Sequence, residues 1–272
     1  MDVGGTTTAA GLVTPQGEML AHSQAPTHAE GAGTALRTLF DLADGLVATA
    51  KAQGITLLGL GVGVPGVVDA ERGVVGEDIK NVPELAGCRL AERLAARYGV
   101  PARVDNDVNL LALGQWRFGA GRGARSLVLL ALGTGVGGGI IVDGRLVRGA
   151  GGYGGELGCI PINFDTSRVS AFGRGWLDSY VPGREIAETA RQRLPDLGDG
   201  ISAATVFQAA RDGHAGARAL AEEVCQALGA GRRGSPMGVG VRLQARAGHD
   251  PDHVSVAGQA GLRRRRRGAV PL

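Results

Sequence analysis

The sequence predicts an α/β protein made of two similar halves, and three observations predict it. Two glycine-rich turns lie about half a chain apart: Asp2-Val3-Gly4-Gly5-Thr6-Thr7-Thr8 and Gly133-Thr134-Gly135-Val136-Gly137-Gly138-Gly139. Each runs into an apolar stretch, residues 9–13 and 140–142, so each reads as strand, turn, strand. After each, strands give way to alternating helical and extended patterns, which is an internal structural duplication. The third observation is composition: 272 residues, 44% of them hydrophobic, are enough for one large core or two moderate ones.

In chain order, residues 9–13 and 18–24 predict a hairpin about a Pro15-Gln16-Gly17 turn. Thr34 is placed to cap a helix whose apolar stripe is Leu36, Leu39, Ala43, Leu46, Val47 and Ala50, ended by Gly54. Residues 55–64 are almost continuously apolar, the mark of a strand buried on both faces. A helix over 90–98 stops at Gly99, a short strand covers 100–104, and a helix over 107–116 begins with a carboxylate near its positive end. In the second half, 126–132 and 139–142 read as strands joined to a hairpin turn at Asp143-Gly144. Helices are predicted over 184–191 and 203–228. The junction between halves is placed near 119–123.

Composition excludes several classes. No apolar run reaches the roughly 18 residues of a membrane span, and the start lacks a charged, then apolar, secretory leader. Cys88, Cys159 and Cys225 are scattered, with no CxxC pair, which argues against disulfides and thiolate zinc and for a reducing cytoplasm. The net charge of +3 conceals a division. Residues 229–272 hold nine Arg and two Asp, so the rest has 20 basic against 24 acidic groups, about −4, and no nucleic-acid surface is indicated there.

Glycine-rich turns bring successive N–H groups within reach of phosphate oxygens. Two of them, with interleaved Thr hydroxyls, suggest two domains holding one polyphosphate. Neither is a GxxxxGK[ST] loop nor a GxGxxG opening a helix. The order D-x-G-G-T, Val64-Pro65-Gly66, Asp105-Asn106-Asp107-Val108-Asn109, G-T-G-x-G-G-G, then Gly154-Gly155-Glu156-Leu157-Gly158 resembles the ROK family of bacterial sugar kinases and repressors. The resemblance covers about residues 1–228. It implies the actin-like, RNase H-like ATPase fold, with two lobes and a cleft, and a glucokinase-like transfer of phosphate from ATP with Mg²⁺ to a hexose.

On that resemblance the lobes are residues 1–119, with the phosphate loop and catalytic Asp, and 120–228, incomplete. Asp107 takes the role of catalytic base, and Asn106, Glu156 and Asp178 those of sugar contacts. Asp2, Gly4, Gly5, Thr6 and Thr7, with Gly133, Thr134, Gly135, Gly137 and Gly138, take those of nucleotide contacts. Read without the family pattern, Asp107 serves as a helix cap, Glu156 as a solvated loop acid, and Asp178 as a helix-start or surface acid. Three departures stand out. Thr7 replaces a common Lys, Cys159 stands where the family has His, and no cysteine cluster follows, so no zinc site is expected. The implied partners are a small sugar and ATP, without membrane or specific nucleic acid, and a homodimer if the chain is complete.

Glucose is the default acceptor, with fructose, N-acetylglucosamine and N-acetylmannosamine open. A non-catalytic sugar or nucleotide sensor is a second class, and a chaperone-like or cell-division ATPase of the same fold a third. No helix-turn-helix segment precedes the first loop, which favours a kinase over a repressor. Strand one is short before Asp2. Residues 229–272 contain nine Gly, nine Arg, no Lys, no Glu and no aromatic residue. The expectation is a reading-frame shift near Gly229, leaving a chain that folds marginally and binds ATP poorly. A disordered basic tail, with Arg263 to Arg267 touching nucleic acid, is the alternative.

Overall fold

The computed structural model describes residues 1–133, 135–164, 168–169, 173–233, 238–245 and 254–261, the last two segments and 230–233 as backbone. The chain divides into two compact units. The first is residues 1–118 with 148–154, and the second is 119–147 with 155–272. The sequence reading placed 148–154 with the second half; the chain instead returns to the first unit for those seven residues.

In the first unit, β1 (Asp2–Val3), β2 (Thr7–Val13) and β3 (Met19–Pro26) form an antiparallel meander. Helix α1 (Ala35–Ala52) follows and packs on β2 and β3, with Leu39, Leu42 and Ala43 among its buried residues. Strand β4 (Leu60–Val64) then lies parallel to β1. A small hairpin of β5 (Val68–Asp69) and β6 (Val74–Val75) leads to α2 (Leu90–Tyr98), which ends at Gly99 with φ +69°. Strand β7 (Ala102–Asn106) pairs parallel with β4, and α3 (Asp107–Arg117) leaves its end directly. The sheet order is β3-β2-β1-β4-β7. Val3, Leu39, Val62, Val64, Leu90, Leu94 and Val104 form its core, and burying each such side chain contributes about 1.5–3 kcal/mol.

In the second unit, β8 (Leu127–Leu132) and β9 (Val136–Val142) flank the second glycine-rich turn, and β10 (Arg145–Leu146) closes the meander. Helices α4 (Gly183–Arg193), α5 (Ala203–Arg211) and α6 (Ala215–Arg233) pack together around Ile186, Val206, Leu220 and Val224. The tail contributes β11 (Gly238–Ala245) and β12 (Val254–Gly261), giving the order β10-β9-β8-β12-β11. Arg263 to Arg267 lie outside the described residues.

Four local expectations are corrected. Thr34 does not cap α1 with its side chain; its Oγ1 donates instead to the Gly31 carbonyl at 2.7 Å. The apolar run 55–64 is a strand only from Leu60, and Leu58 is 73% exposed. The strand expected over 100–104 sits at Ala102–Asn106, two residues later. The helix expected over 203–228 is two helices, because Gly213 turns the chain at φ +98° and His214 Nδ1 accepts the Ala217 N–H to start α6. No described helix is long and apolar enough to cross a membrane.

Candidate active site

In the first unit the loop between β1 and β2 is open to solvent at Asp2, Gly5, Thr6 and Thr7. Its shape comes from a turn in which the Gly4 N–H donates to the Thr7 carbonyl at 3.0 Å. A Cβ on Gly4 would lie 2.8 Å from that carbonyl, so no larger residue fits. A residue the sequence reading missed holds the loop from below. Thr27, fully buried, donates its hydroxyl to the Gly4 carbonyl at 2.6 Å and its N–H to the Thr6 carbonyl at 2.8 Å. Its Oγ1 also lies 3.0 Å from that of buried Thr8. Pairing of Thr7 with Pro26 across β2 and β3 brings Thr27 there, a contact 23 residues apart that no local pattern signals.

The second cluster of the first unit is at the junction of β7 and α3. Asn106 is the N-cap of α3: its Oδ1 accepts the Asn109 N–H at 3.0 Å. Its Nδ2 donates to the Gly66 carbonyl at 3.0 Å and to Asp107 Oδ1 at 2.9 Å. Gly66 has φ +82°, the conformation the Val64-Pro65-Gly66 turn needs to aim that carbonyl at Asn106. Asp107 Oδ1 also accepts the Val108 N–H at 2.8 Å. The base candidate is therefore a half-buried carboxylate at a helix N-terminus, with one oxygen fixed by two donors. Both Nδ2 hydrogens of Asn106 are committed within the protein, which leaves its amide oxygen as the group able to meet a hydroxyl.

Asp105, one residue earlier, faces inward with its side chain 7% exposed. Its Oδ2 accepts two N–H groups of Arg148, Nε at 3.0 Å and Nη2 at 2.5 Å. Its Oδ1 accepts the Asn106 N–H and Asn109 Nδ2, at 2.8 and 3.2 Å. A concavity of about 1460 Å³ in this unit is lined by Asp69, Arg72, Glu77, Arg89, Arg103 and Arg148 among others. Its charges are mixed. Arg148 is taken by Asp105, Arg72 lies 3.7 Å from Asp69 and Arg89 3.4 Å from Glu92, so the cavity does not read as an anion site.

In the second unit the Gly133 carbonyl accepts the N–H of Gly183, the first residue of α4, and the Gly133 N–H donates to the Gly135 carbonyl, both at 3.0 Å. Thr134 lies outside the described residues. Gly135, Gly137 and Gly138 lead into β9, where a Cβ on Gly138 would meet the Gly155 carbonyl at 2.5 Å. That close approach seats the Gly155-Glu156 turn against β9.

Asp178 is buried, 1% exposed. Its Oδ1 accepts the Val136 N–H at 3.0 Å and its Oδ2 the Arg184 guanidinium at 3.3 Å. Burial raises its carboxyl above the ordinary aspartate range, offset in part by those two donors. What it does here is hold the end of the second glycine-rich turn. Asp178 stands at the start of the 3-10 turn Leu177–Ser179 and is buried rather than at the surface.

Glu156 precedes a single 3-10 turn at Leu157–Cys159. Partial desolvation raises its carboxyl. The Cys159 thiol is raised by desolvation first, then by the negative charges of Glu156 and Asp178. Those three predicted positions are thus brought within electrostatic range of one another. Among the described residues no three His, Cys, Asp or Glu side chains are placed to share a metal ion.

The family model described as ROK family matches residues 1–233. The chain is 33% identical over 231 residues to a glucokinase of Streptomyces coelicolor, covering 78% of this chain and 69% of that one. It is also 33% identical over 210 residues to a xylose repressor of Caldicellulosiruptor bescii, covering 72% and 51%. Among solved structures, a ROK family glucokinase from Streptomyces griseus, in complex with glucose and AMPPNP, superposes with a TM-score of 0.64 at 31% identity, covering 85% of this chain and 76% of that one. The five motifs, the two β-meanders opening on glycine-rich turns and the match over residues 1–233 have one reading: the chain belongs to the ROK family, with its actin-like ATPase fold.

Proposed function

We propose that the protein transfers the γ-phosphoryl group of ATP to a hydroxyl of a hexose, with glucose the first acceptor to test. The observation that carries this is Asp107, a carboxylate at the N-terminus of α3 whose Oδ1 is fixed by Val108 and Asn106. Phosphoryl transfer asks a protein mostly for positioning and charge stabilisation. A fixed carboxylate supplies the remaining need, accepting the hydroxyl proton as the new O–P bond forms. The amide oxygen of Asn106 and the Glu156 carboxylate are the acceptors proposed for sugar hydroxyls. Asp178, buried and bonded to Val136, supports the site from behind.

The residues present fit a nucleotide. The Gly4 turn is too tight for a side chain at Gly4, and Gly5, Thr6 and Thr7, exposed beside it, are the residues proposed to offer donors to a phosphate. Gly133, Gly135, Gly137 and Gly138 are the proposed second phosphate cradle. Asp2 is the carboxylate proposed to meet Mg²⁺, which takes few protein ligands. ATP with Mg²⁺ supplies the activated phosphoryl group and neutralises its charge.

Asp107→Asn tests the reading. We expect kcat to fall by roughly 10²–10⁴-fold while sugar affinity stays within a few-fold. A coupled assay finding the variant close to wild type removes Asp107 as the base. A sugar sensor without turnover is the second reading, favoured by the likeness to the xylose repressor. Sugar binding by calorimetry without ATP consumption, across glucose, fructose, N-acetylglucosamine and N-acetylmannosamine, would select it. The composition change at Gly229 lies close to residue 233, where the family match stops. This supports the inference that the tail is not the family's own terminal segment, and the DNA read in all three frames past Leu228 tests it.

A further inference from the structure

We propose that Arg148 is a positioning residue for the reaction above, acting through Asp105 to fix the Asn106-Asp107 pair; the proposal rests on that kinase reading for its kinetic arm only. Asp105 is the last buried carboxylate of β7 before the candidate base, and four donors converge on it. Two come from Arg148, one from the Asn109 side chain and one from the Asn106 backbone. Asn106 and Asn109 are the two ends of the α3 cap, joined by the Asn106 Oδ1 bond to the Asn109 N–H. Asp105 therefore grips both residues that set the first turn of α3, the turn from which Asp107 projects.

Arg148 is the only one of these three donor residues outside residues 105–109, 43 residues along the chain. It is also a long-stemmed cation at a loop end. Residues 148–154 close on themselves, the Gly154 N–H donating to the Arg148 carbonyl at 2.7 Å. The ion pair is thus the polar fastening between that glycine-rich loop and the end of β7. A buried carboxylate whose cation is removed is left with an uncompensated charge. It then seeks water or a proton, and the α3 cap relaxes with it. A guanidinium suits this place because Nε and Nη2 are fixed in one plane and reach one oxygen together, whereas a Lys ammonium offers a single mobile point charge.

The test uses the full-length chain with Arg148→Met, Arg148→Lys and the double variant Asp105→Asn/Arg148→Met, which removes both charges should the single variant fold poorly. Amide hydrogen exchange is the arm independent of turnover. We expect the Asn106, Val108 and Asn109 amides to exchange at least tenfold faster in Arg148→Met, with β8 amides unchanged. In steady state with glucose and ATP, kcat should fall by roughly 10–100-fold, the scale of a misplaced reacting group, with KM for ATP within threefold. Arg148→Lys should restore folding and part of the exchange protection but not kcat, and the double variant should fold while remaining slow. Exchange at 106–109 equal to wild type, or kcat within twofold in every variant, overturns the proposal. If wild type turns over no sugar while the exchange effect is present, the clamp stands and the kinase reading is what fails.

Discussion

Asp178 spends both carboxylate oxygens on the protein, one on the Val136 N–H and one on Arg184, while sitting almost fully out of solvent. Burial outweighs those donors, and its carboxyl is pushed above the ordinary value of 3.8. A carboxyl whose pKa is higher folded than unfolded favours the folded state fully at pH below the unfolded value. That contribution is lost as pH rises through the folded one. Asp178→Asn keeps an acceptor for Val136 but cannot ionise. Its melting temperature relative to wild type should therefore be lowest near pH 3.5 and should rise steadily toward pH 7. A difference that is flat with pH, measured by thermal melts in matched buffers, would show that burial does not raise the Asp178 carboxyl. The carboxylate at this position was legible in the sequence, as a sugar contact that the family resemblance implies. Its partner was not. Val136 is 42 residues away, and no periodicity carries a bond of that span.

Elements were legible where periodicity or punctuation was strong and blurred where burial alone spoke. Helix α1 stood out by its apolar stripe and α3 by the carboxylate at its start, although Asn106 and not Asp107 is its cap. Residues 55–64 misled because apolar composition does not distinguish a buried strand from an exposed lead-in such as Leu58. The break at Gly213 was hidden by good helix formers on both sides. Glycines give the sharpest test at this scale. Gly138 in β9 is pressed against the Gly155 carbonyl and Leu157, with 2.5 Å left for a Cβ in each direction. Gly138→Ala should cost about 1–3 kcal/mol through overpacking, and should impair activity further by displacing the turn that carries Glu156. Gly45, exposed in the middle of α1 with nothing within 4 Å of its Cβ position, is the control. Gly45→Ala should stabilise by about 0.5–1 kcal/mol. Equal effects of the two substitutions in chemical denaturation would show that backbone entropy, not close approach, dominates at both.

The duplication read from the two glycine-rich turns is visible in both sheets, each beginning with an antiparallel three-strand meander. It departs at the strand that follows. In the first unit the place beside β1 is filled by β4, parallel, after α1. In the second the place beside β8 is filled by β12, antiparallel, from the tail. The sequence showed the tail as a change of composition but could not show where its strands pair, because a run poor in large apolar residues sets no register. The sequences of β12 (VSVAGQAG) and β8 (LVLLAL) make the contrast plain. A strand with two Val and four small Ala or Gly residues has little apolar area with which to hold itself against a neighbour, so the β12 side of β8 should open locally at lower free energy than the β9 side. Residue-resolved hydrogen exchange of the full chain measures this directly. The amides of β8 that face β12 should exchange at least tenfold faster than those that face β9. Equal protection on both sides would show that the terminal hairpin is as integral to the second sheet as its own meander, and the composition change at Gly229 would then have no structural consequence.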